Sequence, residues 1–190
     1  MSPRRDLVVV GAAEGDLAAL STILKALPVT FQAPILVAQR THAQSVQTLV
    51  RIMDSCASMP VSYACEGRFG RAGHAYLPPA GLALVIRPEG VMGVDDPEAT
   101  STGDGPVDRL FSSAAAVCGQ RVIGVLLSGC AGEGRLGMSA IEEAAGVAVV
   151  QAPDEADVAA PPRHAPHHHP LPYVAPLDAI APLLAALVEG

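Results

Sequence analysis

Tryptophan is absent from this sequence of 190 residues, and aromatic residues make up only 3% of it. A core must therefore be built from aliphatic side chains, and hydrophobic residues indeed make up 50% of the chain. Cysteine is scarce, and the four that occur, Cys56, Cys65, Cys118 and Cys130, show no C-x-x-C spacing. This argues against a disulfide scaffold and against a cysteine metal cluster. Reduced thiols and a cytoplasmic location are expected.

Long hydrophobic runs and an excess of positive charge are also lacking. No apolar run reaches the roughly 18 residues that a membrane span requires, so we expect no membrane insertion. The basic start, residues 1–5, is followed by Asp6 and an apolar run of only four residues, which is typical of a strand and not of a signal peptide. Twelve Lys and Arg against 19 Asp and Glu give a net charge of −7, which argues against a nucleic-acid partner. The length fits one domain, 1–190.

Short β-branched runs alternate along the chain with amphipathic helical patterns, in which apolar residues recur every three or four positions. The expected strands are Leu7–Val10, Ile35–Ala38, Val61–Tyr63, Val122–Leu127 and Val147–Val150. The expected helices cover 17–27, 46–53, 107–118, 136–145 and 178–188, with Gly146 ending the fourth and Asp178 capping the fifth. This alternation predicts an α/β fold, a three-layer, doubly wound, mainly parallel sheet with helices on both faces.

One segment rich in glycine and proline, 67–104, interrupts the alternation. Within it, Ala75–Leu77 and Leu82–Ile86 have the pattern of two short strands joined by Pro78–Gly81, so we expect a β-hairpin insertion there. The loop that follows, Asp95–Asp104, either overhangs a site or is an ordinary surface loop. The sequence leaves these two alternatives open.

Three loops follow expected strands at the carboxyl edge of the sheet, where open α/β proteins place their ligands. The first loop is GAAEGD (residues 11–16), the second loop is QRTHAQ (39–44) and the third loop is SGCAGEGRLG (128–137). A glycine-framed turn between a strand and a helix often holds a nucleophile or a phosphate. In the first loop the central positions are Ala13 and Glu14, which suit neither task.

The three loops, in this order, resemble the motifs of the CheB-type protein-glutamate methylesterases of bacterial chemotaxis, which hydrolyse methyl esters on receptor glutamates. That family shows GASTGG at the first loop, QHMPPGFT at the second and TGMGxDGAxGM at the third. The segments GHAYLPPAG (73–81), PVDRLFSSAA (106–115), IGVLLSG (123–129) and PLDAIAPLL (176–184) are similar as well, so the resemblance covers about the whole chain. It implies a single methylesterase-like domain with no cofactor. Many members of that family carry a receiver domain ahead of this one, but we expect none in this sequence.

The resemblance places the family's catalytic serine, histidine and aspartate at Ala13, Arg40 and Glu133. Alanine has no nucleophilic atom, and the guanidinium of arginine accepts no proton near neutral pH. Glutamate keeps the charge of aspartate but is longer by one methylene. Because a nucleophile and a general base are each required for this chemistry, the three substituted positions are not expected to form a competent site.

A rewired site is one alternative, with Cys130 as nucleophile, His42 as base and Glu133 as the residue that orients the base. The other interpretation is that Cys130 is a small apolar residue at the family's methionine position and His42 an exposed loop residue. The sequence favours this second interpretation.

Arg40 and Glu133 also form a complementary pair of longer side chains at positions that touch in the family. We therefore predict an ion pair between them, with charged atoms within about 4 Å. Drift after the loss of catalysis is the competing explanation of the same two substitutions.

Histidines are concentrated in one proline-flanked segment, from which His164, His167 and His169 are weak candidates for metal ligands. The alternative is a solvated loop that prolines hold extended, and the spacing favours it. We therefore expect no metal.

Two functions of different classes follow from these observations. The first is a non-catalytic member of the methylesterase family, acting as a binding or regulatory module in a chemosensory-type pathway. Its expected partner is a signalling protein such as a chemoreceptor tail. The second is an active carboxylic-ester hydrolase, acting on receptor glutamate methyl esters or through new chemistry at Cys130. The absence of serine at position 13 and of histidine at position 40 favours the first.

Overall fold

The computed structural model describes residues 4–39, 46–96, 104–130, 132–152 and 173–190. Its centre is a seven-stranded sheet in the order β3-β4-β2-β1-β7-β8-β9, and every strand pair in it is parallel. The strands are β1 (Leu7–Ala12), β2 (Ile35–Gln39), β3 (Val61–Tyr63), β4 (Ala75–Leu77), β5 (Ala83–Ile86), β6 (Met92–Asp95), β7 (Val122–Leu126), β8 (Val147–Gln151) and β9 (Tyr173–Ala175). The five strands expected from the sequence are confirmed.

Helices cover both faces of this sheet and are α1 (Leu17–Ala26), α2 (Val46–Cys56), α3 (Pro106–Cys118), α4 (Arg135–Glu143) and α5 (Leu177–Glu189). Alternate residues of β1 point to opposite faces, as the period of a strand requires. Val8 and Val10 join the hydrophobic core beneath α1, α2 and α5. Leu7 and Val9 join a second core beneath α3 and α4. The three-layer, doubly wound α/β architecture is therefore confirmed.

A β-hairpin insertion is present, but the expectation about which strands form it is wrong. Ala75–Leu77 lies between β2 and β3 in the main sheet and pairs parallel with both. The hairpin is formed instead by β5 and β6, which pair antiparallel. Its reversal is at Arg87–Val91, where Arg87 N–H donates to Val91 O at 2.9 Å and Gly90 has φ +81°. The error arose because a fully buried three-residue strand gives no alternation that distinguishes its partner strands.

Two helix ends also differ from expectation. Pro176 caps α5, so Asp178 lies in the first turn and is not the N-cap. At the end of α4 the left-handed residue is Ala145, with φ 59°, and not Gly146. Gly146 is needed for a close approach, because a Cβ there would lie 2.9 Å from Val122 O.

No helix among the described residues is both long and apolar enough to cross a membrane.

Candidate functional site

The candidate site lies at the carboxyl edge of the sheet, beside β1. The strands of this sheet that follow β1 in the chain are added first on one side of it and later, from β7 onward, on the other side. β1 pairs with β2 on one side and with β7 on the other. The first loop follows β1 and the third loop follows β7, so parallel pairing brings both to one edge. Ala13 and Glu133 therefore lie on neighbouring loops at the same edge of the sheet.

The turn of the first loop keeps a compact geometry. Ala13 follows β1 in extended conformation, with φ −85° and ψ 172°, and one turn of 3-10 helix leads into α1. Asp16 N–H donates to Ala13 O at 3.0 Å, and Ala13 N–H donates to Asp16 Oδ2 at 2.8 Å. The side chain at the tip of this turn is a half-buried methyl group. The turn therefore keeps its shape without offering a nucleophile.

Asp16 connects the first loop to the third. Its Oδ1 accepts a hydrogen bond of 3.0 Å from Gly129 N–H, 113 residues away in the chain. The residue is only 6% exposed, so its carboxylate is held by backbone N–H groups inside the crevice. Gly129 has no room for a side chain, because a Cβ there would lie 2.5 Å from Asp16 Oδ1. Nothing in the sequence indicated this contact.

Glu133 lies in the third loop, and its side chain reaches the start of α3. Its backbone N–H donates to Cys130 O at 3.1 Å. A Cβ on Gly105, the N-cap of α3, would lie 2.6 Å from Glu133 Oε1. A carboxylate at a helix N-terminus interacts favourably with the helix dipole. Gly105, at the start of α3, is thus a neighbour of Glu133 that the sequence did not indicate.

Arg40 and His42, in the second loop, lie outside the described residues. The predicted ion pair between Arg40 and Glu133 stays a prediction, and so does the pairing of His42 with Cys130. The histidines His164, His167 and His169 are outside the described residues as well. Within the described ranges, no group of three or more His, Cys, Asp and Glu side chains could hold a metal ion.

Cys130 is buried between the first and third loops, and its Sγ lies 3.9 Å from Asp16 Oδ2. Burial, and then the negative charges of Asp16 and Glu133, raise the pKa of the Cys130 thiol to about 12. A thiol is a nucleophile only as the thiolate. The environment of Cys130 thus stabilises the unreactive form.

Two buried glutamines complete this edge and were not predicted as site residues. Gln39, at the end of β2, donates from Nε2 to Ala13 O at 3.5 Å. Gln151, at the end of β8, accepts a hydrogen bond of 3.2 Å from Ser128 N–H. The sequence signal that could have identified them is a polar residue directly after an apolar run, because the carboxyl ends of parallel strands meet at this edge. Both glutamines hold loop backbone in place.

Asp108 supports the third loop from α3. Its carboxylate accepts hydrogen bonds from Gly134 N–H at 3.1 Å and from Gly137 N–H at 2.8 Å. These N–H groups belong to the first turn of α4, whose N-cap residue supplies no side-chain cap. Asp108, a residue of α3, therefore caps the start of α4 in place of a local side chain.

Comparisons with known proteins agree with this geometry. The CheB methylesterase family model matches residues 8–184. A putative protein-glutamate methylesterase/protein-glutamine glutaminase of Leptospira interrogans is 31% identical over 185 residues, which are 97% of this chain and 96% of that protein. A protein-glutamate methylesterase/protein-glutamine glutaminase of Moorella thermoacetica is 33% identical over 192 residues, 99% of this chain but 45% of that protein.

Among solved structures, the crystal structure of the Thermotoga maritima CheB methylesterase catalytic domain matches with a TM-score of 0.81. It is 23% identical, and the match covers 98% of this chain and all of that one. At this identity the likeness supports the fold alone. The chain spans about half the length of relatives such as those from Moorella thermoacetica and Geobacillus kaustophilus, at 45% and 54%.

Proposed function

This chain belongs to the CheB methylesterase family, and we propose that within it the chain has lost ester hydrolysis and acts as a binding or regulatory module in chemosensory-type signalling. The observation that carries the proposal is Ala13. It occupies the nucleophile position of a turn whose backbone is intact and anchored by Asp16. The scaffold is kept while the atom that would attack the ester carbonyl is missing.

The chemistry of the other substituted positions agrees with this proposal. Ester hydrolysis by a serine enzyme needs a base that takes the proton of the nucleophile and a third residue that orients the base. Arg40 replaces the base with a permanent cation. Even with the nucleophile restored, no proton acceptor would be present at that position.

The alternative function is hydrolysis through Cys130, and the environment of that thiol argues against it. With the pKa raised to about 12 by burial and by two carboxylates, this thiol stays protonated near neutral pH and offers almost no thiolate as a nucleophile. Catalytic cysteines occupy electropositive, partly exposed sites, whereas the charges that act on Cys130 from the described residues are those of Asp16 and Glu133, both negative. Cys130 has the environment of a core residue.

We expect thiol labelling to separate Cys130 from the exposed cysteines. At pH 8 in native protein, iodoacetamide should modify exposed Cys56 and Cys65 rapidly, because their thiols meet solvent. Cys130 should be modified only after unfolding, since it is buried and its thiol stays protonated. Peptide mapping by mass spectrometry measures each rate. Modification of native Cys130 as fast as Cys65 would contradict the core assignment.

The proposed function itself predicts that the protein releases no methanol from methylated chemoreceptor. The measurement is methanol release beside a triad-intact member of the family under the same conditions. Release should equal that of the buffer alone, because neither a nucleophile nor a base is present. Cys130→Ala is the matched variant: release that this substitution abolishes would establish the hydrolase alternative.

Competition for the receptor tests the proposed binding role in the same methanol-release assay. If the chain engages receptor tails without catalysis, an excess of it should slow methanol release by the triad-intact enzyme, because the two compete for receptor. A receptor fragment without methylation sites serves as the control in calorimetric titration. Absence of both competition and binding would exclude the receptor tail as the partner.

A further inference from the structure

The carboxylate of Asp16 accepts hydrogen bonds from two backbone N–H groups, which belong to two different loops and converge on it. Oδ2 receives Ala13 N–H at 2.8 Å, and Oδ1 receives Gly129 N–H at 3.0 Å. Both donors lie beside the residue at the nucleophile position, and one of them is that residue's own amide. The motif resembled by the first loop has glycine where this chain has Asp16.

Convergent N–H groups beside a nucleophile stabilise negative charge on the carbonyl oxygen of an ester under attack. In chymotrypsin-type serine proteases one such donor is the amide of the nucleophile itself. Ala13 N–H is the matching group in this chain. Donors of this kind stabilise a transition state only when the developing oxyanion can reach them.

We propose that Asp16 is a further residue that disables the ester-hydrolysis site, because its carboxylate fills the donor pair of Ala13 and Gly129 and places a negative charge where the oxyanion would form. This inference deepens the proposed loss of hydrolysis and rests on it. It implies that changing the three substituted triad positions back is insufficient, and that the donor pair is a carboxylate-binding site occupied by the chain's own side chain.

The surroundings of Cys130 support the electrostatic part of this inference. Its Sγ lies 3.9 Å from Asp16 Oδ2. The pKa of this thiol therefore responds to the electrostatic potential close to the donor pair. The charges of Asp16 and Glu133 add to burial in raising the pKa of this thiol. An anion forming at this position is therefore disfavoured by the same carboxylates.

Activity measurements test the blocking effect. The triple variant Ala13→Ser, Arg40→His, Glu133→Asp is compared with the quadruple variant that adds Asp16→Gly, on p-nitrophenyl acetate. The quadruple variant should be faster by at least about 100-fold, the size typical of oxyanion donors. Equal activity of the two, at a level above that of buffer alone, would overturn the inference. Hydrolysis by the unaltered protein would instead refute the proposed function, so the two failures are distinguishable.

Acetate binding tests the donor pair without requiring activity. In the single variant Asp16→Gly, added acetate should shift the amide resonances of Ala13 and Gly129 saturably in NMR spectra. The unaltered protein should show no such shift, because its donors are occupied. Glu189→Ala removes an equal charge from the exposed end of α5 and should behave like the unaltered protein.

Asp16→Ala provides a second variant if glycine weakens the turn. The residue has φ −88° and ψ 6°, which alanine adopts without strain. Acetate should shift the same two resonances in it. A folded Asp16→Ala or Asp16→Gly protein that does not respond to acetate would overturn the inference, even if the triple and quadruple variants are both inactive.

Discussion

Replacing Phe111 by alanine should lower the free energy of unfolding by about 3–5 kcal/mol, the largest effect we expect from a single substitution. Phe111 is completely buried in α3, in a chain with only three phenylalanines and no tryptophan. Its ring faces the backbone of β1 and β7, since Cβ atoms on Gly11 and Gly124 would lie 3.4 and 3.6 Å from it, at van der Waals distance. Removing the ring leaves a cavity between α3 and the sheet that these two glycines cannot fill.

Urea-induced unfolding measures this effect, and two variants serve as controls. Phe111→Leu retains most of the volume and should cost only about 1–1.5 kcal/mol. Phe69→Ala removes a ring that is 66% exposed and should change stability by no more than about 0.5 kcal/mol. If Phe111→Ala cost no more than Phe69→Ala, the packing of α3 on the sheet would be contradicted.

Replacing Asp108 by alanine should lower the free energy of unfolding by about 2–4 kcal/mol, since it leaves two buried N–H donors without their acceptor. Those donors are Gly134 N–H and Gly137 N–H, at the start of α4. Asp108 is 8% exposed, so little solvent is available to replace the carboxylate. The third loop, which joins β7 to α4, should also lose protection against amide hydrogen exchange.

The control for Asp108 is Asp178, which likewise lies in the first turn of a helix but is exposed. Asp178→Ala loses only the interaction with the helix dipole and should cost about 0.3–1 kcal/mol. Asp108→Asn, which keeps one acceptor oxygen, should lie between the two alanine variants. A cost for Asp108→Ala equal to that for Asp178→Ala would show that the two buried hydrogen bonds do not stabilise α4.

The main sheet and its helices could be predicted because their signals are local. Strands such as Val122–Leu126 are short continuous apolar runs, whereas helices such as Pro106–Cys118 repeat apolar residues every three or four positions, so run length and period together distinguish the two. The hairpin was misplaced because Ala75–Leu77 is buried along its whole length. A strand of that kind carries no information about whether its partner is the next strand or a distant one.

The substituted positions of the site stay a prediction from the sequence, in which the motifs give Ala13, Arg40 and Glu133 by order and spacing. Parallel pairing of β1 with β7 then places Ala13 and Glu133 at one edge. For Asp16 the sequence indicated only its place as the last residue of the first loop. Its actual role depends on Gly129, 113 residues away.

By itself, then, the sequence determined the α/β layering and the order of the three loops, and its motifs pointed to the substituted positions, because each of these depends on residue type and local spacing. Only the tertiary structure decided that Asp16 binds Ala13 and Gly129, that Asp108 caps α4, and that Cys130 is buried beside two carboxylates. Hydrogen bonds between distant segments, and the desolvation of a thiol, arise from how the layers pack. No period or motif within a single segment encodes them.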